Sequence, residues 1–339
     1  MRFSERVRNW IEGSRTAGVI YDALTRNRIY QALVLRRIES RIAWLERRPV
    51  RAFMLEVSSL CNARCSFCPH GGLTRKKQIM STEVFDAIVG RIRAESITPS
   101  ILDLFHLGEP LLDRHLFDRI RTLKRLFPAA WVRFTTNLNL ADDRIIEEMT
   151  TSGLDSVHVS LNATSAETYR ELMGLDYERT ARNVHRLIEQ RNASGSSLKV
   201  LVSMVIHGTN EDQVRPFIRE WAALVDSIKL QRALDWGGAI DVASGSRRYA
   251  PGKVLFPCND LFERIVITSE GTLALCCQDP EGVPGLSILD RPILEAFSAP
   301  PFEAMRRAHL AGEIRSIRKC VNCFGVNSNG ANWLFERRL

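Results

Sequence analysis

From about residue 52 the chain alternates between two kinds of hydrophobic pattern. Short apolar runs bounded by polar residues predict strands at 52–57, 101–105, 131–135, 156–161, 200–206 and 227–230. Between them, apolar residues recur every three to four positions and predict helices at 82–94, 113–126, 142–150, 177–190 and 211–224. Ser81 and Asn210 stand just before two of these and read as N-caps. Repeated strand–helix alternation predicts an α/β fold, a parallel sheet with helical crossovers. An open barrel and a doubly wound sheet both fit that pattern. In a barrel the chemistry gathers where strands end and loops begin. Cys61, Gly108-Glu109, Asn137 and Asn162 all fall just after a predicted strand.

The pattern changes at both ends. Leu35, Ile38, Ile42 and Leu45 keep helical spacing, with Arg36, Arg37, Arg41 and Arg47 among them. Residues 1–48 hold eleven Arg against five acidic residues, a net of +6 within the formal +8 of the chain. Such a basic amphipathic helix either lies on an anionic membrane surface or caps the main domain with its arginines in water. The capping role is the expectation here. After residue 236, GGAIDVASGSRRYAPGK reads as a linker or mobile loop. LFERIVITSEGTLALCC then places two short apolar runs around Ser269-Glu270-Gly271, a hairpin signal. The chain thus divides into a basic helical segment (1–48), an alternating α/β unit (49–236) and a C-terminal unit (237–339).

Composition narrows the chemistry. The 47 basic residues include only seven Lys. Arg suits bidentate binding of carboxylate and phosphate. An anionic small molecule, an acidic peptide, nucleic acid or an anionic lipid surface would fit, as would a merely solvated Arg-rich surface. No stretch approaches the ~18 apolar residues of a membrane span, and no signal-peptide pattern opens the chain. The expected compartment is the cytoplasm. Eight cysteines there point to metal rather than to a disulfide framework.

Three of them lie in CNARCSFCPH, as Cys61-x-x-x-Cys65-x-x-Cys68. This could be a zinc site completed by a residue such as His70, a disulfide fragment, or a metal centre with an open position. A four-iron cluster held by three cysteines leaves one iron free, and an open position is how a metal centre meets its substrate. Cys258, Cys276, Cys320 and Cys323 form a second group, on the hairpin and a Cys-x-x-Cys turn. Four such thiolates hold zinc or an iron–sulfur cluster. Cys277 is left over.

The three-cysteine spacing, with Phe67 before the last cysteine, resembles the signature of the radical S-adenosylmethionine (radical SAM) superfamily. Gly108-Glu109-Pro110 occupies the place of that family's Gly-Gly-Glu motif, with Leu107 in place of its first glycine. Thr135–Asn137 after the third strand and Ser160–Thr164 after the fourth also match, so the resemblance covers roughly 50–235. It implies a partial (β/α)6 TIM-like barrel with a small C-terminal α+β domain. It implies a [4Fe–4S] cluster on Cys61, Cys65 and Cys68 whose open iron binds SAM. Glu109 would contact the methionine amino group and Phe67 the adenine. Ser160 and Asn162 would reach the ribose and carboxylate, with Gly108 and Asn137 also at the cofactor. Asn162 stands where an acid is common. The C-terminal unit resembles the SPASM/twitch extension and implies one auxiliary [4Fe–4S] cluster on Cys258, Cys276, Cys320 and Cys323.

The resemblance also implies a reaction. The reduced cluster passes one electron to SAM, releasing a 5′-deoxyadenosyl radical that abstracts hydrogen from an unactivated carbon. An auxiliary cluster accepting an electron would give an oxidised product. A thiol returning a hydrogen would give an epimer. Cys277 is the candidate donor, against a reading as a small hydrophobe beside Cys276. Strand alternation puts Ser156, His158, Ser160 and Asn162 on one face. His158 is a candidate acid–base or hydroxyl-orienting group, or else a structural histidine. Glu56 either faces the barrel or makes a strand-end salt bridge, and His106 reads as strand-end packing. Peptide-modifying relatives often carry a winged-helix module, for which 1–48 is too short and too plainly helical. That favours a small molecule, a sugar, aminocyclitol or nucleoside in natural-product or glycan biosynthesis, in anionic form. A ribosomal peptide is the second reading, and a non-catalytic zinc or iron–sulfur module the third. A reductant such as flavodoxin or ferredoxin is the expected partner, and no stable nucleic-acid partner is expected.

Overall fold

The computed structural model describes residues 15–45, 50–236, 239–240, 255–321, 323 and 326. Two N-terminal helices come first, α1 (Arg15–Thr25) and α2 (Arg28–Leu45). The alternating unit runs β1 (Ala52–Leu55), α3 (Thr82–Ala94), β2 (Ile101–Asp103), α4 (Leu116–Leu126), β3 (Trp131–Thr136) and α5 (Asp143–Thr151). It continues with β4 (Ser156–Ser160), α6 (Ala166–Met173), α7 (Tyr177–Ser194), β5 (Lys199–Ile206), α8 (Val214–Trp221) and β6 (Ser227–Arg232). The C-terminal unit holds α9 (Asp260–Glu263), β7 (Arg264–Ile267), β8 (Leu273–Ala274), α10 (Ile293–Phe297), α11 (Pro300–Leu310) and α12 (Arg318–Val321). Most of the linker reading at 237–253 falls outside the described residues.

Sheet order decides between the two architectures that the pattern left open. Strands β1 to β6 are neighbours in chain order, all parallel. With right-handed crossovers and no reversal of order, every helix falls on one face. The fold is therefore a partial barrel. Burial agrees. Val132, Phe134, Val157, Val159, Val200, Val202, Ile228 and Leu230 are buried in one core with residues of the surrounding helices. The alternate positions Arg133, Thr135, His158, Ser160, Leu201 and Lys229 stay partly accessible. They line the lumen.

The predicted hairpin forms, with Val266 opposite Ala274 and Ile267 opposite Leu273. Gly271 makes its turn with φ +83°, a backbone state that costs glycine little. Sequence did not show that β7 also pairs in parallel with β1, so the barrel sheet extends to eight strands. Helix α6 was also missed, although Ser165 caps it and Gly174 ends it in the left-handed conformation. Ser81 caps α3 as predicted, accepting from Val84 N. Asn210 does not act as a cap. Its Nδ2 donates to the carbonyls of Asn162 and Val205, at 2.7 and 2.9 Å, tying the ends of β4 and β5.

In α2 the docked line is Val34, Ile38 and Ile42, packed around Phe256 with Tyr30 and Phe262. Leu35, expected on that line, faces solvent instead. The α2 face thus docks on the C-terminal unit. Arg47 and the side chains of Arg41 and Leu45 lie outside the described residues.

Glu56, at the end of β1, makes the salt bridge rather than a lumen contact. Arg75 clasps it with both terminal nitrogens, at 2.7 and 2.5 Å, and Ser269 N donates to it at 3.0 Å. His106 lies 3.6 Å away. Burial alone would raise this carboxyl, but His106 and Arg75 outweigh it and hold it at about 2. Its stabilisation is full above about pH 4.5 and is lost as the pH falls toward 2. Glu56→Ala, which strands a buried guanidinium, is expected to lower unfolding free energy by about 3–5 kcal/mol at pH 7. Urea denaturation at neutral and acid pH checks this, and the deficit should shrink as the acid limit is approached.

Candidate functional site

The loop after β1 carries Cys61, Cys65 and Cys68, and its backbone is fastened from three sides. Arg64 N and Ser66 N each donate at 2.9 Å to the carbonyls of Met173 and Leu172, the last turn of α6. Ser59 N donates to Gln78 O. Glu109 N donates to Leu60 O at 2.7 Å. At Gly108 a Cβ would meet Ser58 O at 2.0 Å and Leu60 O at 2.7 Å. Only glycine lets the loop after β2 press directly on the segment that feeds Cys61.

The three thiols feel one another. Burial pushes Cys61 up to about 11 and Cys65 higher still, with Cys68 adding to both and Cys61 also acting on Cys65. Burial raises Cys68 as well, with Lys77 pulling the other way. Three soft sulfur donors crowded on one loop, each held protonated chiefly by burial, suit a cationic metal cluster. A single ion fits less well. Among the described residues no three His, Cys, Asp or Glu side chains converge on one point. His70, the candidate fourth zinc ligand, places its Nε2 2.8 Å from Ser59 O.

Glu109 supplies the second half of the test. It is buried, and its oxygens accept from Thr136 Oγ1 at 2.6 Å, Asn137 N at 2.8 Å and Leu111 N at 3.1 Å. Burial pushes its carboxyl up to about 7, and the groups that pull it down are all neutral donors. Among the described residues no cation stands beside this buried carboxylate, which makes it a fit place for an ammonium group. Asn137 extends this arrangement, donating from Nδ2 to Asn62 Oδ1 in the cysteine loop at 2.8 Å. Phe67 packs on the core, and its carbonyl accepts from Trp236 Nε1 at 3.1 Å. Ser160 points into the lumen. Asn162 braces β4 against β5. It sits at φ +57°, accepts from Val205 N at 2.7 Å, and directs Nδ2 to Met173 Sδ.

The four C-terminal thiols also gather. Cys258, Cys320 and Cys323 share one cluster of packed side chains with Ile314 and Val326. Burial raises Cys276, with Cys323 and Cys320 adding to the effect, and raises Cys258 well above a free thiol. The set satisfies the thiolate count of a closed iron–sulfur site. Cys277 sits at the edge of this group, within electrostatic reach of Cys258, Cys276 and Cys323. It packs against Met54, Val266 and Ala274 beside Phe105, and its Sγ lies 3.4 Å from Asp260 Oδ2. Its carbonyl oxygen meets His106 Nε2 at 3.3 Å, so His106 does pack at a strand end, as a polar bridge. A cavity of about 580 Å³ opens beside Cys68, lined by Cys68, Pro69 and Trp236 together with Glu281, Arg318 and Lys319 of the C-terminal unit.

The lumen is more charged than the sequence pattern suggests. Asp103 pairs with both Arg133 and Arg264, and Arg264 reaches Asp260. Among the described residues His158 Nε2 is buried without a hydrogen-bond partner. Burial, then Lys229 and Arg133, drives this ring down to about 3, so it stays neutral. A charged residue between two apolar ones on a strand, as in Leu102-Asp103-Leu104, Val132-Arg133-Phe134 and Ile228-Lys229-Leu230, was the available signal.

Residues 55–220 match the model of the Radical SAM superfamily. A Probable GTP 3′,8-cyclase of Saccharolobus islandicus (strain L.S.2.15 / Lassen #1) is 29% identical over 172 residues, 50% of this chain and 53% of that protein. One from Methanococcus vannielii is 27% identical over 143 residues, 42% of this chain and 46% of that protein. The chain thus spans about half the length of the curated relatives it matches. Among solved structures, BtrN in complex with AdoMet and 2-DOIA aligns with TM-score 0.54 and 17% identity, over 82% of this chain and 94% of BtrN. Native anSMEcpe with AdoMet and Cp18Cys peptide gives 0.58 and 16%, over 85% and 96%. Streptococcus suis SuiB bound to precursor peptide SuiA gives 0.60 and 13%, over 76% and 66%. These likenesses establish the fold.

The contact at Gly108 generates a direct test. Gly108→Ala must displace backbone, so it is expected to cost about 1–3 kcal/mol of stability and to lower the iron retained on the three-cysteine loop. Thermal unfolding and iron analysis after anaerobic reconstitution read the two effects.

Proposed function

We propose, from a chain whose residues 55–220 belong to the radical SAM superfamily, that the protein abstracts hydrogen from an anionic small molecule held in the barrel lumen. The observation that carries this reading is the pairing of three clustered thiols with a buried carboxylate that has no cation beside it among the described residues, both at the loops that follow the strands. A [4Fe–4S] cluster and SAM, when bound there, supply the electron and the hydrogen-abstracting radical. Cys61, Cys65 and Cys68 would hold the cluster and Glu109 the methionine ammonium. Asn137 fixes the cysteine loop, and Ser160 presents a hydroxyl to the lumen. Phe67 adds an apolar surface beside the third thiol, against which the adenine would lie. Cys258, Cys276, Cys320 and Cys323 would hold the auxiliary cluster.

The substrate class follows from the lumen. Arg133 and Lys229 give it positive charge, and the neutral His158 offers a ring nitrogen that orients a hydroxyl. A relative named for GTP, a triphosphate, supports an anionic nucleotide or sugar phosphate. Peptides bound to anSMEcpe and SuiB support the second reading. Two groups can complete the reaction: the auxiliary cluster by accepting an electron, or the Cys277 thiol by returning a hydrogen atom. A flavodoxin or ferredoxin would deliver the first electron. The reducing cytoplasm, which suits eight free cysteines, is the compartment we assign.

The test incubates reduced, SAM-loaded enzyme with deuterated nucleotides, sugar phosphates and peptides. Deuterium is expected in 5′-deoxyadenosine from a phosphorylated substrate. Transfer from peptides alone would overturn the small-molecule reading. Cys277→Ala then separates the two completions. Full turnover assigns oxidation, whereas 5′-deoxyadenosine without epimerised product assigns the thiol.

A further inference from the structure

The N-terminal helices dock by one face and leave the other apolar. Val34, Ile38 and Ile42 are buried against Phe256. Away from that line Ile20, Leu24, Ile29 and Leu33 stand 46, 52, 72 and 56% exposed, as two i,i+4 pairs on either side of the Asn27 turn. Arg26, Arg28 and Arg36 are exposed beside them. From residue 20 to 38 the chain has four arginines and one acidic residue, Asp22. We propose that this face lies on an anionic phospholipid surface. The aliphatic side chains would enter the acyl boundary while the guanidinium groups meet lipid phosphates. A second copy of the chain fits the face poorly, because it would set its three exposed arginines against three of the same charge. No helix among the described residues is long and apolar enough to cross a membrane, so the contact is peripheral.

Co-sedimentation of the reconstituted enzyme with phosphatidylcholine vesicles, with and without phosphatidylglycerol, tests this. Binding is expected only with phosphatidylglycerol and should weaken as salt rises. Leu24→Ser with Ile29→Ser should weaken it about tenfold, and Arg26→Gln with Arg28→Gln should flatten its salt dependence, with iron content unchanged in both. Absence of binding to the anionic vesicles would overturn the proposal. So would a solution dimer that the double serine variant dissolves, which would assign the face to a second copy.

A separate observation concerns His309 and rests on the four-thiol reading of Cys258, Cys276, Cys320 and Cys323. Its Nδ1 accepts from Cys258 N at 3.1 Å, and its Nε2 lies 3.4 Å from Cys320 Sγ. A backbone amide only donates, so Nδ1 carries no proton and the ring's N–H sits on Nε2. The geometry points to His309 as a positioning residue whose N–H···S bond to Cys320 tunes the auxiliary cluster. Its ring joins the segment before α9 to α12. Donors to cluster sulfurs withdraw electron density and favour the reduced state.

A redox titration followed by electron paramagnetic resonance tests it in the reconstituted enzyme. His309→Leu should shift the reduction equilibrium of the auxiliary cluster about tenfold toward the oxidised form, about 59 mV for one electron. His309→Gln, which keeps an amide N–H near the Nε2 position, should recover most of that shift. An intact second cluster whose potential is unmoved in His309→Leu overturns the role of His309 alone. A wild-type chain that retains four irons and shows no second signal overturns the four-thiol reading together with it.

Discussion

A single guanidinium joins the parts of this protein. Arg75 is bidentate to Glu56 at the end of β1, and its Nε donates to Pro280 O at 2.6 Å. Its backbone N–H and the adjoining Thr74 hold Glu281. The first barrel strand, the segment after the cysteine loop and the turn after the C-terminal hairpin therefore meet at one ion pair. Buried pairs of this kind seldom add much net stability over an apolar substitute. What they fix is geometry, and here that is how the segment after the cysteine loop seats on the first barrel strand and on the turn after the C-terminal hairpin.

The same economy governs the loops at the strand ends. Gly108 lets one loop lie on another without a side chain between them. That contact brings Glu109 under the cysteine loop, where Thr136, Asn137 and Leu111 hold its oxygens. Each donor is neutral, so the carboxylate keeps an unmet demand for positive charge. The clustered thiols have the same demand. An iron–sulfur cluster and a methionine ammonium would answer both. In the proposed reading, chemistry and packing converge on one end of the barrel, and the charged lumen below receives the substrate.

Much of this is legible in the chain. Strands 1 to 6 follow from short apolar runs at regular intervals, and the cysteine spacing together with Gly108-Glu109 marks the cofactor end of the barrel. Three things are hidden for physical reasons. The parallel pairing of β7 with β1 joins residues about two hundred positions apart, and local pattern carries no record of such a contact. Asn210 has the composition of a cap, but its side-chain oxygen accepts from His207 N at 2.7 Å instead, while its amide donates to two carbonyls at the strand ends. His309 sits in an ordinary helical context, and its meaning appears only when Cys258 and Cys320 close on it. The spacing of α2 identifies Ile38 and Ile42 on the buried line but puts Leu35 where Val34 stands, because Phe256, distant in sequence, selects which face docks.

The central claim is that Cys61, Cys65 and Cys68 hold a cluster whose open iron receives SAM beside Glu109. Electron–nuclear double resonance on the reduced protein, with SAM isotopically labelled at the methionine amino nitrogen and carboxylate oxygen, measures this most directly. The account predicts hyperfine coupling of both labels to the cluster. An intact, reduced three-cysteine cluster that shows neither coupling under saturating SAM would contradict it.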